Sequence, residues 1–159
     1  MSGNQQVRIG VIGTGFLAET RARCYGYLNG MAKIVAVASR TKRKAKAYAE
    51  QYGVPQVCGD YLDLLGMEEI DHVDLCVPNH LHRQVTEAAA AAGKHIVCTK
   101  PLTAYSGQDL PSDASDEDVS SQDRRKMLEV AAADADAMLA AAEQANVQLI
   151  YGENWNYAP

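Results

Sequence analysis

Val7 to Ile12 forms a compact apolar run, interrupted only by Arg8 and Gly10 and ending in glycines, as a parallel strand covered on both faces does. From Phe16 to Asn29 the spacing turns helical, Gly30 stops it, and Ile34 to Ala38 is a second β-branched run. Thr41 stands where it can cap a further helix reaching Tyr52 and closed by Gly53, and Gln56 to Cys58 reads as a short third strand before a small helix at Tyr61 to Leu65. His72 to Val77 is again strand-like. Pro78 and Asn79 turn the chain into a helix from Leu81 to Ala92, ended by Gly93, and His95 to Cys98 makes another strand. A long helix is expected from Gln122 to Gln144, with Met127, Leu128, Ala131, Met138, Leu139 and Ala142 toward one face, and Val147 to Tyr151 is the last strand. Strands alternating with helices predict an α/β fold, a doubly wound parallel sheet with helices on both faces.

One stretch breaks the pattern. Asp109 to Asp123 carries six carboxylates without a Lys or Arg, among serines and Pro111, so the region of about 105–121 reads as an exposed acidic insertion.

The 159 residues suit one domain, and 47% hydrophobic with 22% charged residues is the composition of a chain that folds around a core. Fifteen basic against 20 acidic side chains give a net charge of −5, which repels a phosphate backbone and argues against nucleic acid as a partner. Cys24, Cys58, Cys76 and Cys98 show no C-x-x-C pair or Cys/His clamp, so no metal site is indicated. Reduced thiols in a cytoplasmic protein are the simplest reading. The start lacks the basic and apolar regions of a secretory signal, and no apolar run approaches the length of a membrane span.

Candidate chemistry gathers where strands end. Gly13-Thr14-Gly15-Phe16-Leu17-Ala18 reads G-x-G-x-x-A directly between the first strand and its helix. Gly13 allows a tight turn, Gly15 keeps side chains away from a ligand, and Ala18 lets helix and strand approach. A diphosphate there meets unpaired N–H groups and the positive end of the helix dipole. The alternative is a tight turn with no ligand. At the end of the second strand stand Ser39 and Arg40, where an NAD site commonly has a carboxylate for the ribose. No carboxylate occurs between Gly30 and Glu50, whereas Arg40, Lys42, Arg43, Lys44 and Lys46 crowd the next helix start. Cations there oppose the dipole, and a 2′-phosphate paired with Arg40 would offset this, so NADP is favoured, with NAD as the alternative. A solvated basic face remains the plain reading of the outer lysines.

Val77-Pro78-Asn79-His80-Leu81-His82 leaves the same sheet edge. Asn79 can act as a helix cap, and His80 and His82 fit capping or surface positions better than catalysis, so no base is assigned there. Thr99-Lys100-Pro101 follows the fifth strand. The Lys100 ammonium can hydrogen-bond a substrate hydroxyl or carbonyl, and partial burial would bring its pKa toward useful values. An exposed lysine before a loop is the alternative.

On these residues the chain resembles the N-terminal half of the glucose-fructose oxidoreductase, inositol dehydrogenase and MocA (Gfo/Idh/MocA) superfamily. The resemblance rests on Gly13-x-Gly15-x-x-Ala18, on Val77-Pro78-Asn79-x-x-His82, and on Lys94 to Leu102 around Lys100-Pro101. It implies a Rossmann-type NAD(P)-binding domain over 1–152, in which Gly13, Thr14, Gly15, Phe16, Leu17, Ser39, Arg40, Val77, Pro78, Asn79, His82, Thr99 and Lys100 border the dinucleotide. It also implies a Lys100–Pro101 peptide that is often cis, and Lys100 beside nicotinamide and substrate. Thr99 departs from the family, which usually has a glutamate there that helps hold the nicotinamide ribose.

The family's second, mainly β domain supplies most of the substrate pocket and the usual acid/base histidine. It is absent here, and 153–159 looks like the crossing into it. The expectation is therefore an oxidoreductase of a sugar, polyol or related hydroxy compound, present as its cofactor half and binding cofactor without normal turnover. The implied associations are a small-molecule substrate and either a homo-oligomer or a separate C-terminal domain partner. Two other readings stay open: a non-catalytic dinucleotide-binding regulatory or accessory protein, and a methyltransferase with a similar glycine loop, which would leave Lys100 and Arg40 without a task.

Overall fold

The computed structural model describes residues 6–153. Six strands, β1 (Val7–Ile12), β2 (Ala32–Ala38), β3 (Gln56–Cys58), β4 (His72–Leu75), β5 (His95–Thr99) and β6 (Leu149–Gly152), form one sheet. Their order is β3-β2-β1-β4-β5-β6, every neighbouring pair is parallel, and the order reverses between β1 and β4. The helices are α1 (Phe16–Gly26), α2 (Lys42–Tyr52), α3 (Tyr61–Leu65), α4 (His82–Ala91), α5 (Asp116–Ser120) and α6 (Arg124–Gln144). The expected doubly wound sheet is present.

Two cores follow from the crossovers. On one face α1 and α2 bury Ala18, Ala22, Ala45 and Tyr48 against Ile9, Val11, Ile34 and Val37. On the other, α3, α4 and α6 bury Leu64, Val85, Ala89 and Met138 against Ile12, Leu75, Ile96 and Cys98. Strand register lines up Val37, Val11, Asp74, Val97 and Ile150 across the first face. Val37, Val11 and Asp74 are fully buried, whereas Ile150 is 39% exposed. The cover thus thins toward β6, because α1 and α2 connect strands only on the β1–β3 side.

Several expectations need correction. α1 ends at Gly26 rather than Asn29, since Tyr27 and Leu28 already bond to the carbonyls three residues back, and Asn29 takes φ +44°. β4 stops at Leu75. A 3₁₀ turn, Asn79–Leu81, precedes α4, and neither Asn79 nor Thr41 caps a helix with its side chain. β6 begins at Leu149 rather than Val147. α6 starts at Arg124, where the Asp123 carboxylate accepts from the Arg125 and Lys126 N–H groups.

On α6 only Met138 and Ala142 are buried, while Leu128 is 69% and Leu139 53% exposed. The helix rests on α4 along a stripe too narrow to cover all six expected positions. The acidic insertion is not bare loop either. Ser115 and Asp118 form a reciprocal capping box at α5, and Val119 packs over Gly107, where an added Cβ would stand 2.7 Å away. Asp109 pairs with Lys126 at 2.9 Å, tying the insertion to α6.

Candidate functional site

β1 delivers Gly13 at the point where strand order reverses, the place where open α/β sheets bind ligands. Gly13 has φ +107°, and a Cβ there would lie 2.2 Å from the Cys76 carbonyl oxygen, so only glycine lets the β1 turn pass β4. Gly15 differs: nothing lies within 4 Å of its Cβ direction. It occupies the N-cap of α1 without a side-chain cap, which leaves first-turn N–H groups facing an open space suited to a diphosphate. Beneath them the Tyr48 hydroxyl donates to the Ala18 carbonyl at 2.9 Å and locks α2 against α1. Sequence reasoning missed this link, although Tyr48 falls in phase with the buried Ala45 and Ala49.

The end of β2 meets the glycine loop directly, since the hydroxyls of Thr14 and Ser39 lie 3.2 Å apart. Arg40, Lys42, Arg43, Lys44 and Lys46 are all exposed, and none forms an ion pair with another described residue. α2 has no acidic residue in its first turn. Thr14, Glu19, Lys44, Ala47, Tyr48 and Gln51 line a cleft of about 270 Å³ beside the loop. Phe16 projects from the first turn of α1, 85% exposed.

Val77, Pro78 and Asn79 emerge beside the glycine loop, joined to it by the Cys76 N–H bond to the Ile12 carbonyl. One strand further, Thr99 is half-buried and Lys100 exposed, and the Lys100–Pro101 peptide is cis. The described residues therefore do not supply the partial burial expected of Lys100. His82 is corrected most. It is neither capping nor surface: its ring is buried, with Nδ1 3.0 Å from the Leu102 carbonyl oxygen and Nε2 3.2 Å from that of Val77. His80 is exposed.

Asp74, which sequence reasoning passed over as an ordinary strand residue, is wholly buried below this edge. It accepts from the Tyr25 hydroxyl at 2.7 Å and faces the Arg21 guanidinium at 3.6 Å. Burial holds its carboxyl above the usual range, opposed by Arg21 and Tyr25. Burial, and then Asp74, likewise raise the Cys76 thiol well above its ordinary value and Cys98 to about 12, which keeps both thiols protonated and unreactive.

A second cavity, of about 330 Å³, opens at the opposite edge among Gln6, Val7, Asp71, His72, His95 and Gln148. It lies at the amino ends of the strands, away from the glycine loop. No three His, Cys, Asp or Glu side chains gather as metal ligands among the described residues, and no helix there is long and apolar enough to cross a membrane.

A strand-order reversal with a glycine turn, an uncapped helix start and a basic strand end defines a dinucleotide-binding domain. Residues 7–118 match the family model described as oxidoreductase family, NAD-binding Rossmann fold, and the chain belongs to that family, Gfo/Idh/MocA. An uncharacterized oxidoreductase of Rhizobium meliloti is 38% identical over 96 residues, 60% of this chain and 29% of that protein. D-apiose dehydrogenase of Paraburkholderia graminis is 28% identical over 149 residues, 94% of this chain and 32% of that protein. The crystal structure of an NAD binding oxidoreductase from Klebsiella pneumoniae superposes with a TM-score of 0.74 at 28% identity, covering 98% of this chain and 36% of that one. The chain thus spans about a third of the length of such relatives.

Proposed function

We propose that the chain is the cofactor-binding part of an NADP(H)-dependent oxidoreductase, with NAD(H) as the alternative cofactor, acting on a sugar, polyol or related hydroxy compound. The domain would comprise 1–152 with an insertion at 105–121, and 153–159 would begin the passage to substrate-binding residues outside this chain; 154–159 lie outside the described residues. The observation that carries the reading is the open, uncapped start of α1 at Gly15, whose loop meets the end of β2 through Thr14 and Ser39, the residue before the exposed, unpaired Arg40. Related proteins include levoglucosan dehydrogenase and a D-xylose 1-dehydrogenase (NADP(+)), which supports the substrate class. Four free cysteines favour a reducing, cytoplasmic setting.

Gly13, Thr14, Gly15, Phe16 and Leu17 would hold the diphosphate through backbone N–H groups, with Phe16 covering it. Ser39 and Arg40 would take the adenosine ribose and its 2′-phosphate, helped by Lys44 from the adjoining cleft. Val77, Pro78, Asn79 and Thr99 would flank the nicotinamide, which when bound supplies the site of hydride exchange. Lys100 would donate a hydrogen bond to the reacting substrate oxygen and stabilise negative charge there. Thr99 offers a hydroxyl where a glutamate is usual in the family.

The exposed Lys100, next to Thr99 where the family usually has a glutamate, favours a second reading, a non-catalytic dinucleotide-binding regulatory or accessory protein. Calorimetric titration tests the cofactor assignment. NADPH binds more tightly than NADH, and Arg40→Ala removes most of a preference of roughly tenfold or more, the scale of a charge-assisted pair. Equal affinities for both dinucleotides in both proteins contradict it. Oxidation of a sugar or polyol by the chain with a substrate-binding domain restored after it, stopped by Lys100→Ala, separates enzyme from accessory protein.

A further inference from the structure

The segments that follow β4 and β5 leave the sheet separately, and a single side chain ties them together. His82, the first residue of α4, is 1% exposed. Its Nδ1 faces the Leu102 carbonyl and its Nε2 faces the Val77 carbonyl. Val77 immediately precedes Pro78 and Asn79, and Leu102 lies two residues beyond Lys100. The ring therefore spans the distance between the segment assigned to flank the nicotinamide and the segment carrying the lysine.

A neutral imidazole carries one N–H, whereas the doubly protonated ring has two. The doubly protonated ring serves both carbonyls. The singly protonated ring serves one, and the Cys98 thiol, 3.2 Å from Nδ1, can donate to that nitrogen when it lacks a proton. With both protons the ring donates to the two carbonyls; with the proton on Nε2 alone it donates to Val77 and accepts from Cys98, and in both arrangements each nitrogen is engaged. Burying a polar ring where a Leu would pack costs desolvation unless its bonds are made. What the histidine adds over Leu is direction, since a hydrogen bond holds its carbonyl at a set distance and angle from the ring and apolar contact does not.

We propose that His82 is a positioning residue for the nicotinamide half of the site: it fixes the spacing between Val77–Asn79 and Lys100–Leu102 without touching the dinucleotide. This replaces a direct cofactor contact by His82 and rests on the dinucleotide reading above.

The test compares each dinucleotide with its nicotinamide-free counterpart, NADPH with 2′-phospho-ADP-ribose and NADH with ADP-ribose, titrated into the full chain and into His82→Leu and His82→Gln. His82→Leu weakens the better-binding dinucleotide by roughly tenfold, the scale of a lost buried hydrogen-bond link. Its counterpart, held by the glycine loop and β2, keeps its affinity within about twofold, and His82→Gln, with an N–H for one carbonyl, recovers part of the loss. Unchanged dinucleotide affinity in His82→Leu overturns the proposal, as does an equal loss for dinucleotide and counterpart. If His82→Leu lacks a cooperative melt, the same split is read in His82→Gln, where a loss of about threefold confined to the dinucleotide is expected and none is contradictory. Failure of the unaltered chain to bind any of the four ligands defeats the dinucleotide reading itself, and this proposal with it.

Discussion

Gly13 passes Cys76 so closely that a Cβ on the glycine would stand 2.2 Å from the Cys76 carbonyl oxygen, while two residues later Gly15 faces open space. The two glycines of one motif thus do different work. Gly13 allows β1 and β4 to sit side by side with the turn between them, and Gly15 leaves room in front of the helix.

Substitution separates the two roles. Gly13→Ala places a side chain at a positive φ against backbone and lowers stability by about 2 kcal/mol or more. Gly15, with φ −85°, accepts Ala within about 1 kcal/mol of the parent stability. Gly15→Ala nevertheless weakens dinucleotide binding by roughly tenfold or more on the proposed reading, in which the methyl group enters the space assigned to the diphosphate. Chemical denaturation and calorimetry on the two variants check both halves. Similar stability losses in the two variants would contradict the division.

His72 sets part of the acid limb of stability. Burial first, and then the neighbouring His95 and Arg21 charges, lower its pKa from 6.5 to about 4, against the pull of Asp71. The native state therefore keeps the ring neutral where the unfolded chain binds a proton. Its stability contribution is complete above pH 6.5 and is lost as pH falls toward about 4. His72→Gln flattens the melting-temperature profile across that window and leaves its neutral-pH shape intact. A parallel decline in both proteins between those values counts against the assignment.

The faces of α6 are distinguished by packing. Met138 is fully buried, so Met138→Ala costs about 2–4 kcal/mol. Leu128 and Leu139 are more than half exposed, and Leu128→Lys or Leu139→Lys changes stability by no more than about 0.5 kcal/mol. Urea titrations of the three variants measure this. A cost at Leu128 comparable to that at Met138 would place the helix in a different phase.

Element order and the glycine loop were legible in the sequence because both are local: a β-branched run ending in Gly13 and Gly15, then helical spacing from Phe16, specify a strand, a turn and a helix without knowledge of the rest. Tertiary relations were less accessible. Asp74 reads as a polar interruption of β4, and only the crossover of α1 brings Tyr25 and Arg21 over it. His82 reads as a surface residue near a helix start, yet the chain after β5 returns Leu102 to its ring. Leu128 and Leu139 follow the helical period but miss the contact with α4, since periodicity gives a face and not the width of the neighbour that covers it. In the insertion the carboxylates conceal a small packing unit of Gly107, Leu110 and Val119.

The central claim is that a dinucleotide lies along the carboxyl edge of the sheet, from the end of β2 across the β1 turn to Lys100. Backbone amide resonances recorded during an NADPH titration report this residue by residue. Saturable shifts at Gly13 to Leu17, Ser39, Arg40, Val77, Asn79, Thr99 and Lys100 are the predicted result. Shifts gathered instead around Gln6, Asp71, His72, His95 and Gln148 at the opposite edge, or no saturable shifts at all, would contradict it.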